Sequence, residues 1–546
     1  MQPSILAKRG SILLFVAFIL FYFYGLGHLP FVGPDEPRYA QVAHEMFLRR
    51  DWITPTLGGY LWFEKPALLY WMTIAAFKLF GVSEWSARAG GAVCGLLTIA
   101  AVLWIGARTE RGQKTEQRRA IGFWSALVAG TSGGIIAFSR AVSFDIVITM
   151  TIAWALAFFF AAELEVDQKS QRRLLAGFYF AIGLSLLAKG LVGFVIPFGV
   201  IGAYYTLRGK APARKILLSV GWGIPLSLAV AAVWYGPMFW KHGVLFFDDF
   251  IIKHHFERYA TNKYHHPGAI YYYLLILPLL ALPWSALLVD GVLKARKAFW
   301  KGSDDRASRL QTFALAWILL PLIFFSISSS KLPGYILPVL PAVALLAGSR
   351  LAQLDSESKN NWAIRATGAL ALLFAIALLA FAWQSGKMSV RAALIIAALG
   401  GTAGTVALLL QRSRQAAAIL VGAATLAIVV VALRSVASGL IDPETSRRLI
   451  QLADERGYAR VPLFGLQRDD RSPEFYAAGR VIYGEDHEPV MYDGIGQVIY
   501  ESHLRKETVL FLIPMDDLGG LRQAESVQID EIANNGRVAI VAVTPL

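Results

Sequence analysis

The feature that most constrains this chain is a succession of apolar runs, each close to the ~20 residues an α-helix needs to cross a bilayer core. They are centred near Phe18, Leu97, Val128, Trp154, Ile182, Val200, Ala229, Leu279, Leu319, Leu340, Phe374, Ala403 and Ile428. In lipid a backbone must satisfy its own N–H and C=O groups, so such runs fold as helices. Composition agrees: 56% of the 546 residues are hydrophobic, 16% are charged and the mean hydropathy is +0.51. Soluble domains carry roughly a quarter charged residues. The expected fold class is an α-helical polytopic membrane protein with about thirteen transmembrane helices over residues 1–436. The stretch Leu174 to Leu207 is apolar throughout and is expected to split into two spans near Ala188, Lys189 and Gly190.

The net charge of +14 has to be assigned to sides of the membrane before it says anything about partners, and that placement removes a nucleic-acid reading. Ser11 to Leu26 follows Lys8 and Arg9 and resembles a signal sequence without a small-x-small cleavage site, so it reads as a retained first helix with its N-terminus inside. Basic clusters at Arg108 to Arg119, Lys169 to Arg173, Arg208 to Lys215 and Lys294 to Arg309 then fall in alternate, inside loops. The outside loops expected from this are 28–88, with amphipathic helices lying on the membrane surface, and 238–268. The single cysteine, Cys94, lies within a span and supports neither a disulfide nor a cysteine metal site.

From residue 437 to 546 the composition turns soluble. Val461 to Leu466, Val481 to Tyr483, Thr508 to Ile513 and Val538 to Val543 read as buried strands alternating with helix-like Glu444 to Arg456 and Gly494 to Ser502, so a soluble α/β domain is expected there. It has no Gly-rich phosphate loop, and a structural or docking role is expected.

Within the first outside loop, Phe-Val-Gly-Pro-Asp-Glu-Pro-Arg-Tyr over 31–39 places Asp35 and Glu36 side by side between Pro34 and Pro37. The prolines discourage helix and present the pair on a stiff loop at the membrane face. The competing reading is an ordinary cap, with the acids bonding free N–H groups of the next helix. Other outside stretches repeat the theme of charge beside proline and aromatics: Glu64-Lys65-Pro66, Glu257-Arg258-Tyr259, and Ser328 to Pro338 with Lys331 and Tyr335. Lys65, Arg258 and Lys331 are cations on a face where these residues are under-used. Each alone fits headgroup snorkelling; converging with a carboxylate, they form the anion site a lipid phosphate requires. His265 and His266, with Glu84 at the mouth of the second span, suit a zinc ion of structural rather than catalytic type, while solvated interfacial histidines are the alternative.

These segments, with Leu68-Leu69-Tyr70-Trp71 and Ser329-Ser330-Lys331-Leu332-Pro333, resemble the integral-membrane GT-C glycosyltransferases, and among them the bacterial lipid A aminoarabinose transferases. Ala67 departs from that pattern, which has a second proline there. The resemblance implies a GT-C fold and transfer of 4-amino-4-deoxy-L-arabinose from undecaprenyl phosphate to lipid A phosphates at the periplasmic face of the inner membrane. It implies Asp35 and Glu36 as catalytic residues and Glu64, Lys65, Arg258, Lys331 and Tyr335 as substrate-binding residues. Glu64, Asp145 and Glu257 are equally eligible to meet the sugar's ammonium; Arg140 and Asp145 could also add to the cavity, but are expected to form an ion pair at the end of a helical hairpin. No cofactor is required by that reaction. Independently, an outward site has no access to nucleotide sugars, and no nucleotide-phosphate loop appears inside, which favours a lipid-linked donor. The rivals are a transferase with another sugar or a protein acceptor, and a lipid-linked sugar flippase, which should show paired broken helices near mid-membrane.

Overall fold

The computed structural model describes residues 3–546 except 112, 114–119, 249, 251–267, 301–303, 355–361, 386–387, 410–413, 436–440 and 467–469. All thirteen expected span centres fall within helical segments. Among the described residues, eight helices are long and apolar enough to cross a membrane, or ten if each of two bent pairs is one span; Gly10–Phe23 and Val192–Arg208 are apolar but shorter. The expected break falls at Gly190, between the helices Gln168–Lys189 and Val192–Arg208. Its φ of +68° is a conformation that glycine adopts without steric cost.

The bent pairs are Ile121–Thr131 with Gly133–Ser139 and Tyr272–Leu280 with Ser285–Arg296. Their breaks bond to each other, Gly133 N–H donating to Leu282 O at 2.8 Å, so the backbone groups freed there are met inside the protein. Neither break lines the large cavity described below.

The bundle has a graded interior. The helical segment Pro333–Leu351 is 94% buried over its most apolar window, whereas Trp362–Ser385 is 22% buried, so the first is a central post and the second faces lipid. Trp362–Ser385 packs on Val390–Leu409, which packs on Arg414–Ser435. The expected inside loops gather at one end of the bundle. There Arg108 pairs with Glu165, Arg309 with Glu163, and Arg208 with both Glu163 and Asp304.

The opposite end carries the first polar loop and the C-terminal domain. The loop holds the helices Asp35–Arg49 and Leu68–Phe80, with a hairpin of Thr56–Leu57 and Tyr60–Leu61 between them. One expectation needs correction: Asp35 and Glu36 are not in a loop but occupy the first turn of a helix that begins immediately after Pro34. Proline is tolerated in a first turn, where its missing N–H has no helical acceptor to lose. The second polar loop also starts later than expected, because the helix Arg214–Phe246 continues through a kink at Gly243.

The C-terminal domain is a five-stranded mixed sheet in the spatial order Met491–Tyr492, Leu463–Leu466, Val509–Pro514, Val538–Pro545, Val527–Asn534. The first three strands are parallel and the last two are antiparallel to their neighbours. Two corrections apply. Val481 makes an isolated bridge to Leu463 rather than a strand, and Val527–Asn534 is an edge strand whose polar, half-buried residues hide it from a search for apolar runs.

Candidate active site

Asp35, Glu36, Glu64, Lys65 and Tyr335 line one cavity of about 600 Å³ at the polar-loop end of the bundle. The same walls contain Asp145, one of the eligible carboxylates, and Lys189, which the sequence does not single out for the site. Residues from six separate stretches of chain meet here. Their convergence depends on how the helices pack, and it leaves no local pattern.

Asp35 has the most exposed side chain of the central pair, at 53%. Arg38, one turn along, donates from Nη2 to Asp35 at 2.6 Å and from Nε to Pro34 O at 2.9 Å, and lies 5.6 Å from the Trp62 ring. Burial works against the Arg38 cation, but nearby Glu64 and Asp35 more than compensate and hold it firmly protonated.

Glu36 behaves differently from its neighbour. It is buried, accepts from Arg88 Nε at 2.7 Å and Nη2 at 2.8 Å, and accepts from Val142 N–H at 3.0 Å. Arg88 completes its set with the carbonyls of Leu26, Leu29 and Pro30. With its oxygens bound in this way, Glu36 ties the cavity wall together, while its neighbour Asp35 carries the more exposed carboxylate.

Glu64 and Lys65 form an ion pair in the cavity wall, each with a side chain about one-tenth exposed. Lys189, the last residue of its helix, bonds Asp145 in the first turn of the helix Phe144–Leu164 and lies 4.9 Å from the Tyr335 ring centroid. The expected ion pair of Arg140 with Asp145 is not formed; Arg140 donates to the carbonyls of Phe21 and Tyr24. The signal for Lys189 was present as a charged residue at the break in an apolar run, and it was read only as a boundary.

Lys331 does not line the cavity. Its ammonium is directed to Ser328 O at 2.7 Å, although Ser328, Leu332 and Tyr335 around it do line the wall. Arg258, His265 and His266 lie outside the described residues. Glu84 is drawn away from the expected metal role. It pairs with Arg447 at 3.1 Å and accepts from Tyr476 Oη at 3.2 Å, so a cation already neutralises it. Among the described residues no group of three or more His, Cys, Asp or Glu is placed to hold a metal ion.

The chemistry available is that of a charge-balanced chamber. Among the described residues its four carboxylates, Asp35, Glu36, Glu64 and Asp145, are matched by Lys65, Lys189 and the flanking Arg38 and Arg88. A phosphate entering it competes with Glu64 and Asp145 for the lysines, and a carboxylate released in this way becomes available to a cationic group on the same ligand.

Residues 9–289, just over half of the chain, match the model of the dolichyl-phosphate-mannose-protein mannosyltransferase family. The chain belongs to that family. Proteins of similar sequence include the undecaprenyl phosphate-α-4-amino-4-deoxy-L-arabinose arabinosyl transferase of Pseudomonas aeruginosa, 31% identical over 386 residues (68% of this chain, 66% of that one). The enzyme of the same name from Yersinia enterocolitica is 29% identical over 381 residues, covering 68% and 64%. The chain thus spans slightly less than two thirds of these relatives' length. ArnT from Cupriavidus metallidurans bound to undecaprenyl phosphate superposes with a TM-score of 0.78 at 24% identity over 98% of both chains. Family membership and this superposition give the chain a GT-C membrane fold with a C-terminal sheet domain.

Proposed function

We propose that this family member transfers 4-amino-4-deoxy-L-arabinose from undecaprenyl phosphate to the phosphates of lipid A, at the periplasmic face of the inner membrane. One observation carries the reading: Asp35, two lysines each paired with a carboxylate, and Tyr335 share one chamber in a membrane domain whose relatives are named for this reaction. The donor phosphate takes Lys65, Lys189 and the Tyr335 hydroxyl, and as it does so Glu64 or Asp145 turns to the sugar's ammonium. Breaking the anomeric C–O bond returns charge to the phosphate, where the lysines stabilise it, and leaves the sugar carbon oxocarbenium-like, next to Asp35.

The charges balance without a general base. Above the second phosphate pKa of about 6 a lipid A phosphate is a dianion. It attacks the anomeric carbon and becomes a monoanionic diester, while the monoanionic donor leaves as dianionic undecaprenyl phosphate. Asp35 is therefore needed for electrostatic stabilisation and orientation rather than to remove a proton. The test incubates membranes containing the protein with lipid A and undecaprenyl-phosphate aminoarabinose. The expected result is lipid A heavier by one or two aminoarabinose units. Transfer from a different polyprenyl-phosphate sugar, or to protein instead of lipid A, overturns the assignment.

A further inference from the structure

The segment leading to Asp35 is gripped from two directions, and one grip belongs to the C-terminal domain. Phe31 is fully buried, three residues before Pro34. On one side the Arg88 guanidinium lies 4.9 Å from its ring centroid. On the other, Phe475 packs edge-on at 4.8 Å and Tyr476 stacks at 5.9 Å, both from the short helix Ser472–Tyr476. Tyr476 Oη accepts the Phe31 N–H at 2.7 Å and donates to Glu84, which Arg447 of the same domain also holds. After Phe31 only Val32 and Gly33, the latter at φ +72°, intervene before the Pro34–Asp35 helix start.

Phe475 and Tyr476 do not line the cavity. We infer that they are positioning residues for Asp35, so that the C-terminal domain acts as part of the active site through the Phe31 segment. The inference rests on the proposed transfer reaction. Its physical basis is that Gly33 is a free hinge with no atom within 4 Å of where its Cβ would sit, so the position of Asp35 is set by what fixes the chain on either side. Arg88 fixes the carboxylate of Glu36, the carbonyls up to Pro30 and one side of the Phe31 ring; the Phe31 amide and the other side of the ring are held by the C-terminal domain. A shift of about 1 Å in a reacting group costs on the order of 100-fold in rate.

The experiment uses the full chain in detergent or nanodiscs and compares Tyr476→Phe, Phe475→Ala and a control, Tyr492→Phe, whose hydroxyl donates to Glu501 at 2.7 Å elsewhere in the same domain. Turnover is expected to fall about 10- to 100-fold in the first two, with donor KM and thermal midpoint near wild type, because Lys65 and Lys189 still hold the phosphate. The control is expected to keep full turnover. A readout independent of activity is amide hydrogen exchange: protection of the peptide covering 30–38 is expected to drop in Tyr476→Phe and not in Tyr492→Phe. Unchanged turnover and unchanged exchange in Tyr476→Phe overturn the inference. So does a loss of turnover that the control shares or that tracks the thermal midpoint. If wild type transfers no aminoarabinose, the functional reading fails and the exchange comparison alone decides the positioning role.

Discussion

Arg88 places all five of its guanidinium N–H donors on the segment that carries Asp35: two on Glu36, three on the carbonyls of Leu26, Leu29 and Pro30. Removing one partner of such a buried pair leaves a bare charge in the interior. Arg88→Met is therefore expected to destabilise the protein by about 3–5 kcal/mol, read as a lower thermal midpoint, with partial recovery in the double variant with Glu36→Gln. At the cavity surface the expectations concern rate rather than fold. Asp35→Asn is expected to lower turnover by about 100-fold or more while undecaprenyl phosphate still binds with wild-type affinity. Near-normal transfer by that variant would remove Asp35 from the mechanism. Lys189→Ala is expected to raise the donor KM about 10- to 100-fold, the loss of a charge-assisted contact. Lys331→Ala, which removes an ammonium bonded to the Ser328 carbonyl and not itself lining the cavity, is expected to do less. A larger effect from Lys331 would mean that its side chain swings into the chamber when donor binds.

At the scale of elements, two joints govern how the helices hold their places. The first couples the polar loop to the helix Arg214–Phe246: Lys241 donates to Asp51 at 2.9 Å and to Thr54 Oγ1 at 2.9 Å. Burial raises the Asp51 carboxyl, but Lys241 and the Ile53 and Thr54 amides outweigh it and bring the pKa from 3.8 to about 2. A carboxyl depressed on folding adds stability above its unfolded pKa and loses it as the pH falls through the folded one. The thermal midpoint is accordingly expected to drop between pH 4 and pH 2, and less steeply in Asp51→Asn; equal slopes would show that the pair contributes nothing. The second joint is the crossing of Trp362–Ser385 and Val390–Leu409, where a Cβ on Gly404 would lie 2.7 Å from Gly368 O. Small residues allow helix backbones to meet in lipid, where apolar burial supplies no drive between them. Gly404→Leu is expected to force the pair apart at a cost of about 1–3 kcal/mol, measured as reduced thermal stability in detergent. Neither joint is visible in a hydropathy profile, which registers apolar length and not which faces meet.

For the molecule as a whole, the membrane domain and the sheet domain are joined at Phe31 and Glu84, held by Tyr476 and Arg447, and at Tyr60, which stacks on His487. Cys94, the only cysteine and fully buried, reports on the membrane domain. A thiol-reactive maleimide is expected to leave the folded protein unlabelled and to label it after denaturation, so labelling against temperature follows opening of the bundle. Labelling of the native protein would show that the helix Glu84–Thr109 opens locally. The sequence by itself determined the helical membrane fold, the centres of its helices and the α/β tail, and it singled out Asp35, Glu64, Lys65 and Tyr335, which line one cavity. Those properties follow from run length, apolar content and charges placed where lipid makes them costly. Only the tertiary structure decided that Asp35 begins a helix, that Glu36 is bound by Arg88, that Lys189 with Asp145 completes the chamber, and that Glu84 and Phe31 serve the contact with the C-terminal domain. Each of these depends on contacts between residues from 44 to more than 400 positions apart, or on which face of a helix turns inward. Local propensity carries no record of either.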